Sequence, residues 1–520
     1  MTRMEIDDAL RRMRFSWWPC VRTLVLLGLI GASMPVAGAR AFTLDDVVVK
    51  AEQLAREPFA VPQGQVPDWL LKIDYDQWRD IRFRPQRSLW RDAQLPFQLQ
   101  FFHPGLYYDR TVAINVIDAQ GVRPVAFSTD QFDYGKNKFA KKIPRNLGYA
   151  GFRIHYPLNK PDYLDELIVF VGASYFRSLG RNQVYGLSAR GIAIDTIAAT
   201  KEEFPYFREF WLERPAPDAK TLQMYALLDG PSVTGAYRFT IEPGDETIVR
   251  VEMKVFLRRP VEKLGIAPLT SMFFHGENTL HPFVDFRPEV HDSDGLLLHF
   301  NTGEWLWRPL DNPQSLQVNT LQMHQPKGFG LIQRDRNFDH HQDMETRTDL
   351  RPSVWISTDG DWGDGSVELV QIPTNTDVHD NVVAYWVPRE QPKPGEPLAF
   401  AYTMYWHGDD TTRPPGGRVV STRRDWGMVP NANRFVLDFD GGALRALGAD
   451  QAPRGVVSIA GGAAAAELLD QHVVKNPVNG SWRLTFQIRP KQTTPIELRA
   501  FLENNGQALT ETWSYAASPW

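Results

Sequence analysis

From about residue 97 onward, apolar positions recur mostly every second residue. The segments 97–102, 167–171, 249–257, 367–372 and 398–406 either alternate or run apolar between Gly, Pro and Asp, as strands do. Only residues 45–56, DDVVVKAEQLAR, space their apolar side chains as an amphipathic helix does, and 463–468 predicts a helical turn. With 38 Gly and 38 Pro spread through such runs, the chain reads as an all-β protein of stacked sheets. A polar, Pro/Gly-rich stretch at 408–417 predicts a linker between a large sandwich over 42–407 and a smaller one over 418–520. The alternation at 435–439, 482–488 and 496–502 fits an immunoglobulin-like C-terminal sandwich. No internal repeat and no long low-complexity tract interrupts this order.

The first 41 residues follow a different rule. Arg3, Arg11, Arg12, Arg14 and Arg22 precede an apolar run over 24–30, and small residues at 37–41 follow, the layout of a cleavable export signal ending at Ala41. The run falls short of the roughly 20 apolar residues of a membrane span. Arg11-Arg12 is out of register with Phe15 for a twin-arginine signal, so the general secretory route is expected. Cys20, the one cysteine, lies within this leader, so residues 42–520 hold no disulfide, thiolate nucleophile or Cys-ligated metal. The leader is basic and the whole chain has net charge −5, so the exported part is more acidic still. That argues against nucleic acid as a partner.

Aromatic residues make up 12% of the chain, and their densest mixture with arginine is GASYFRSLGRNQVYGLSARGIAIDT at 172–196. Tyr175, Phe176 and Tyr185 offer flat faces, Arg177, Arg181 and Arg190 planar donor forks, and Gly172, Gly180, Gly186 and Gly191 close backbone approach. Such surfaces suit sugar rings. The same residues also suit a strand-turn-strand with rings in the core and arginines on the rim.

Four motifs bear on chemistry. His340-His341 on a strand would point to opposite faces, a poor pair for one ion, and reads as a surface loop. The 359–365 run DGDWGDG lacks the third and closing ligands of a calcium loop and reads as a turn. GLSARG at 186–191 has Arg190 where a nucleophile elbow needs glycine. Asp292 in EVHDSDG and Asp380 in TDVHDNVVAYW come from separate acid-bearing loops, and two such loops framing a cleft supply the acid and base of glycosidic cleavage. Turn-capping is the competing role for each. No metal and no cofactor is expected.

The motifs at 172–196, 202–215 (EEFPYFREFWLERP), 225–239, 265–273 (GIAPLTSMF), 291–295 (HDSDG), 303–313, 327–338, 349–355 (DLRPSVW), 362–374 and 380–386 (DNVVAYW) resemble, in order, the periplasmic glucan biosynthesis proteins G and D. The resemblance spans essentially all of the chain after the leader. It implies a galactose-mutarotase-like N-terminal β-sandwich and an immunoglobulin-like C-terminal one, in the periplasm of a Gram-negative bacterium. It also implies a role in osmoregulated periplasmic glucan synthesis and inverting endo-acting chemistry on β-1,2-glucan. Carried over by motif, Asp380 is the general acid and Asp292 a general base that reaches the attacking water through a relay. An acid that keeps its proton near neutral pH is expected to be partly desolvated with a raised pKa.

One position departs from the pattern. Thr348 stands where hydrolases of the family have a tyrosine of the relay, which leaves room for a sugar hydroxyl to replace water and make an inverting, even cyclising, transglycosylase. Expected sugar-binding residues are Tyr175, Arg177, Tyr185, Arg190, Trp305, Trp307 and Trp355, with 305 and 307 sharing a face if GEWLWRP is a strand. The third reading is a non-catalytic glucan-binding factor that assists the inner-membrane glucan synthase.

Overall fold

The period-two segments are strands in the computed structural model, which describes residues 41–62, 65–199, 201–279, 284–427 and 429–518. The leader, apart from Ala41, lies outside the described residues. Gln98–Phe102, Tyr163–Val171, Thr247–Leu257, Asp364–Gln371, Pro397–His407, Asn433–Asp440, Trp482–Pro490 and Ile496–Asn504 contain or closely match the expected strands. No described helix is long and apolar enough to cross a membrane. The architecture is all-β.

Two large sheets face each other across the main core. The first has ten strands: Gln98–Phe102, Gly151–Lys160, Tyr163–Val171, Tyr175–Ser178, Ser188–Arg190, Leu264–Ser271, Val382–Pro388, Asp364–Gln371 and Gln317–His324 in order, with Ala193–Ile194 paired to Leu264–Ser271. The second has fifteen, with Thr247–Leu257 and Pro397–His407 near its middle. Phe152, Phe170, Phe176, Phe207, Phe239 and Trp406 interlock between them. Each fully buried ring or branched chain in this layer contributes about 1.5–3 kcal/mol.

The helix Leu44–Ala55 closes one outer face. Thr43 N–H donates to the Asp46 carboxylate at 2.7 Å, and Val47 and Ala51 bury against Trp211 and Tyr225. The expected helical turn at 463–468 is a 3-10 turn, Gly462–Ala464, that gives way to the strand Ala466–Lys475. The turn at 359–365 is present, with Gly360 and Gly363 at positive φ and Asp361 accepting from Gly363 N–H at 2.9 Å.

The stretch 408–417 holds no strand, yet hydrogen bonding does not divide there. Arg418–Trp426, Asn433–Asp440, Trp482–Pro490 and Ala466–Lys475 form their own four-stranded sheet. The remaining C-terminal strands, Arg454–Ile459, Ile496–Asn504 and Thr512–Ala517, extend the fifteen-stranded sheet, where Thr512–Ala517 runs parallel to Trp305–Pro309. The second core between these layers joins Phe435, Phe486, Trp482 and Trp513 to Trp307 and Trp355 of the larger region.

Candidate functional site

The run 172–196 is a strand-loop-strand inside the ten-stranded sheet, with Tyr175 opposite Arg190 and Phe176 opposite Ala189. Alternation sends Phe176 and Ala189 into the main core, each 1% exposed, and Tyr175, Arg177, Ser188 and Arg190 to the other face. There Arg177 Nε donates to Ser188 Oγ at 2.6 Å, so this serine braces an arginine. Tyr108, Glu166, Tyr175, Arg177, Tyr185 and Ser188 line one groove of about 360 Å³. Burial pushes the Tyr175 phenol up and Tyr185 well up, which keeps both as neutral donors.

Arg190 has a different place. It is buried, with Nε bonded to Thr270 Oγ1 at 3.1 Å, Nη1 bonded to Glu202 at 2.8 Å, and its plane between the Tyr175 and Phe204 rings. With Nε and Nη1 engaged within the protein and its plane against two rings, it stiffens the Tyr175 platform.

The segments bearing the two acids meet the sheet at neighbouring backbone carbonyls. The strand Leu264–Ser271 ends beside Val382–Pro388, and Asn381 N–H donates to Ser271 O at 3.0 Å; Asp292 N–H donates to Met272 O at 2.8 Å. The Asn381 side chain accepts from Phe273 N–H and donates to Phe273 O and Ile372 O, which fixes the residue after Asp380. Ser271 and Ser293 hydroxyls bond at 2.8 Å behind them. Asp292 is buried and ion-paired with Arg351. Asp380 has its side chain 29% exposed and lies 3.9 Å from Arg177, which ties it to the aromatic groove. Burial and the neighbouring Arg177 charge pull the Arg351 guanidinium down to about 10, while Asp380 and Asp377 act in the opposite direction.

Arg351 therefore pairs with Asp292 and feels the charge of Asp380, and motif reading passed it over although it lies in DLRPSVW. Its closeness depends on Gly186, where a Cβ would fall 2.8 Å from Arg351 Cβ. Thr348 begins the 3-10 turn Thr348–Leu350, is buried, and its Oγ1 has no hydrogen-bond partner among the described residues.

Asp380 also lines a second cleft of about 1260 Å³, with Asn312, Thr374, His379, Arg424 and Trp426. Trp426, 61% exposed, is an aromatic platform that the motif reading did not single out.

The three expected tryptophans form a separate group. Trp307 and Trp355 are 3% and 4% exposed in the second core, and Arg334 covers Trp307 at 3.6 Å. Trp305 shares their side of the strand and is stacked on His299 at 4.0 Å, with Trp355 at 5.3 Å. Trp307, under Arg334, offers no ring face to a sugar, which corrects its assignment as a binding residue, whereas Trp305 and the edge of Trp355 border a separate cavity of about 670 Å³ with His299, Lys327 and Arg413.

The His340-His341 pair also differs from expectation. Asn337 caps a short helix, Phe338–His341, whose His341 is fully buried while His340 bonds Asp335. Nearby, Glu289, His291 and Asp294 gather, a ligand-type group that sequence spacing did not reveal. Gln333 Nε2 donates to Thr348 O, so its Oε1 accepts from His291 Nδ1–H at 2.9 Å, leaving Nε2 to face Glu289 at 2.9 Å. Burial opposes a charge on His291, but Asp294 and Glu289 together raise it to about 9, and a protonated imidazole satisfies the group.

Comparison with known proteins identifies the family. The family described as "Periplasmic glucan biosynthesis protein, MdoG" matches residues 42–517. The chain is 48% identical over 503 residues to glucans biosynthesis protein G of Ralstonia nicotianae, covering 95% of this chain and 99% of that one. It is 46% identical over 508 residues to the protein of the same name from Pseudomonas aeruginosa (95% and 96% covered), and 45% identical over 489 residues to that from Dickeya dadantii (92% and 93%). A family match over nearly the whole of 42–520, with relatives of this identity and coverage, establishes that the chain belongs to the MdoG family of periplasmic glucan biosynthesis proteins.

Proposed function

We propose that the protein works in the periplasm on the β-1,2-linked backbone of osmoregulated periplasmic glucans and cuts it internally with inversion. The observation that supports this most is the anchoring of Asp292 and of Asn381, the residue after Asp380, on the consecutive carbonyls of Met272 and Ser271, with Arg351 paired to Asp292 and Arg177 of the Tyr175–Tyr185 groove beside Asp380. Asp380 donates its proton to the glycosidic oxygen as the bond to the anomeric carbon breaks. A water attacks that carbon from the opposite face, and its proton passes by a relay to Asp292, held as the carboxylate by Arg351. One residue ends deprotonated and the other protonated, so the proton count closes. The half-buried rings of Tyr175 and Tyr185 and the exposed fork of Arg177 receive the glucose units.

The short buried hydroxyl at Thr348 favours a second reading, in which a sugar hydroxyl takes the place of water and the product is a transferred or cyclised glucan. A glucan-binding factor for the membrane synthase is the third. Incubation of the protein from Phe42 onward with linear β-1,2-glucan, followed by mass spectrometry, separates them. Fragments that gain one water per cut indicate hydrolysis. Cyclic products lighter by one water indicate cyclising transfer, and linear products longer than the input indicate intermolecular transfer. Unchanged glucan leaves the binding role. In Asp380→Asn, reducing-end release is expected to vanish with glucan binding retained; undiminished release would overturn the role of Asp380.

A further inference from the structure

We infer that Arg287 is a positioning residue, a single clamp that holds together the three loops bearing Asp292, Arg351 and Asp380. This rests on the proposed reading of Asp380 as the acid.

The guanidinium meets a carboxylate from each loop. Nε and Nη2 bond the two oxygens of Asp285 at 3.1 and 2.8 Å, and Nη1 reaches Asp343 at 3.3 Å and Asp377 at 2.9 Å. Each contact lies a few residues before a site group on the same stretch of chain. Arg287 itself precedes Asp292, Asp343 precedes Arg351, and Asp377 precedes Asp380. Asp343 passes the constraint on, since it also accepts from Glu345 N–H, Thr346 N–H and Thr346 Oγ1 and so shapes the turn that leads to Thr348 and Arg351.

Among the described residues, the loop tips turn apolar side chains to solvent. The residue after each clasped aspartate points outward, Phe286 and Met344 at 81% exposure and Val378 at 75%, whereas Arg287 and Asp343 are 17% and 6% exposed in their side chains. Ion pairs therefore do here what packing does elsewhere in the molecule. A bidentate fork with further donors is needed to serve three partners, which lysine lacks. The hydrogen bonds from Arg287 hold the Asp285 carboxyl down at about 2, as expected of a tight pair.

The test uses the protein from Phe42 onward, with Arg287→Met and Arg287→Lys. Hydrogen exchange is expected to quicken about tenfold or more in Arg287→Met across peptides 343–351 and 374–381, with the strand Thr247–Leu257 unchanged and Arg287→Lys intermediate. On linear β-1,2-glucan, kcat of Arg287→Met should fall about 100-fold while KM stays within about threefold, because a displacement of about 1 Å at reacting groups costs that much. Unaltered exchange in the two loops would overturn the clamp, as would loss of protection spread evenly over the chain or a kcat that survives. If the wild-type protein releases no ends and matches Asp380→Asn, the reading of Asp380 fails, and the exchange experiment still decides whether Arg287 holds the loops.

Discussion

Replacing Glu511 by glutamine keeps the size and most hydrogen bonds of a fully buried side chain and removes only its charge. Glu511 takes Arg334 in a two-pronged contact at 2.6 and 2.9 Å and also accepts from Val419 N–H at 2.8 Å. Arg334, 5% exposed in its side chain, lies over the Trp307 ring and donates to Val419 O. Neither member reaches water, so the substitution strands a guanidinium inside the second core. Breaking a buried pair from one side costs about 3–5 kcal/mol. With a urea slope of about 3 kcal/mol/M, the unfolding midpoint should move down by about 1 M or more. Tryptophan fluorescence follows this directly, because Trp307, Trp482 and Trp513 share that core. Replacing both partners by apolar residues, Arg334→Met with Glu511→Leu, should recover most of the loss, since a matched apolar pair avoids the cost of burying charge. A midpoint for Glu511→Gln within about 0.2 M of wild type would refute the reasoning.

Gly186→Ala should push the Arg351 stem away from Asp292 and cost about 1–3 kcal/mol of stability together with most glucan cleavage; full activity would show that Arg351 need not be seated so tightly. Burial raises Glu277 to about 7, and Asp294 and Glu289 raise His291 to about 9 against burial. Both folded values lie above the unfolded ones, so the stability they confer is full at low pH. The Glu277 part is lost between about pH 4.5 and 7 and the His291 part between about pH 6.5 and 9. Denaturation midpoints measured across that range should decline, with the lower part of the decline absent in Glu277→Gln; a flat profile would contradict the assignment. Trp426→Ala should weaken binding of β-1,2-glucan about fivefold by calorimetry and leave the melting temperature unchanged, because its ring is mostly exposed at the cleft.

Strands were legible in the sequence because burial on one face writes itself as alternation. Phe176 and Ala189 against Arg177 and Ser188 is the clearest case, and it also separates the groove-lining face from the core face. What alternation does not encode is which sheet covers an outward face. Trp307 and Trp355 look like exposed platforms in a local pattern, yet the C-terminal strands build a core against them. Arg190 looked like a free fork for a related reason, since its partner Thr270 is 80 residues away. Asp292 and Asp380 stood out as acids of two separate loops, but only the family motifs give each a role, because an aspartate in a turn has no periodic signature. Arg351 and Arg287 were missed because their value lies in carboxylates gathered from distant loops, a property of the assembled chain. His341 was misjudged because the short helix capped by Asn337 turned a presumed loop inward.

The parallel pairing of Thr512–Ala517 with Trp305–Pro309 bears on how the molecule can be divided. A cut at 408–417 would leave an unpaired edge on each fragment, at Trp305–Pro309 and at Thr512–Ala517, and would open Trp307 and Trp355 to water. The C-terminal strands are thus no interchangeable appendage: each part supplies the missing wall of the other, and a truncated chain is expected to aggregate rather than persist as a smaller working unit.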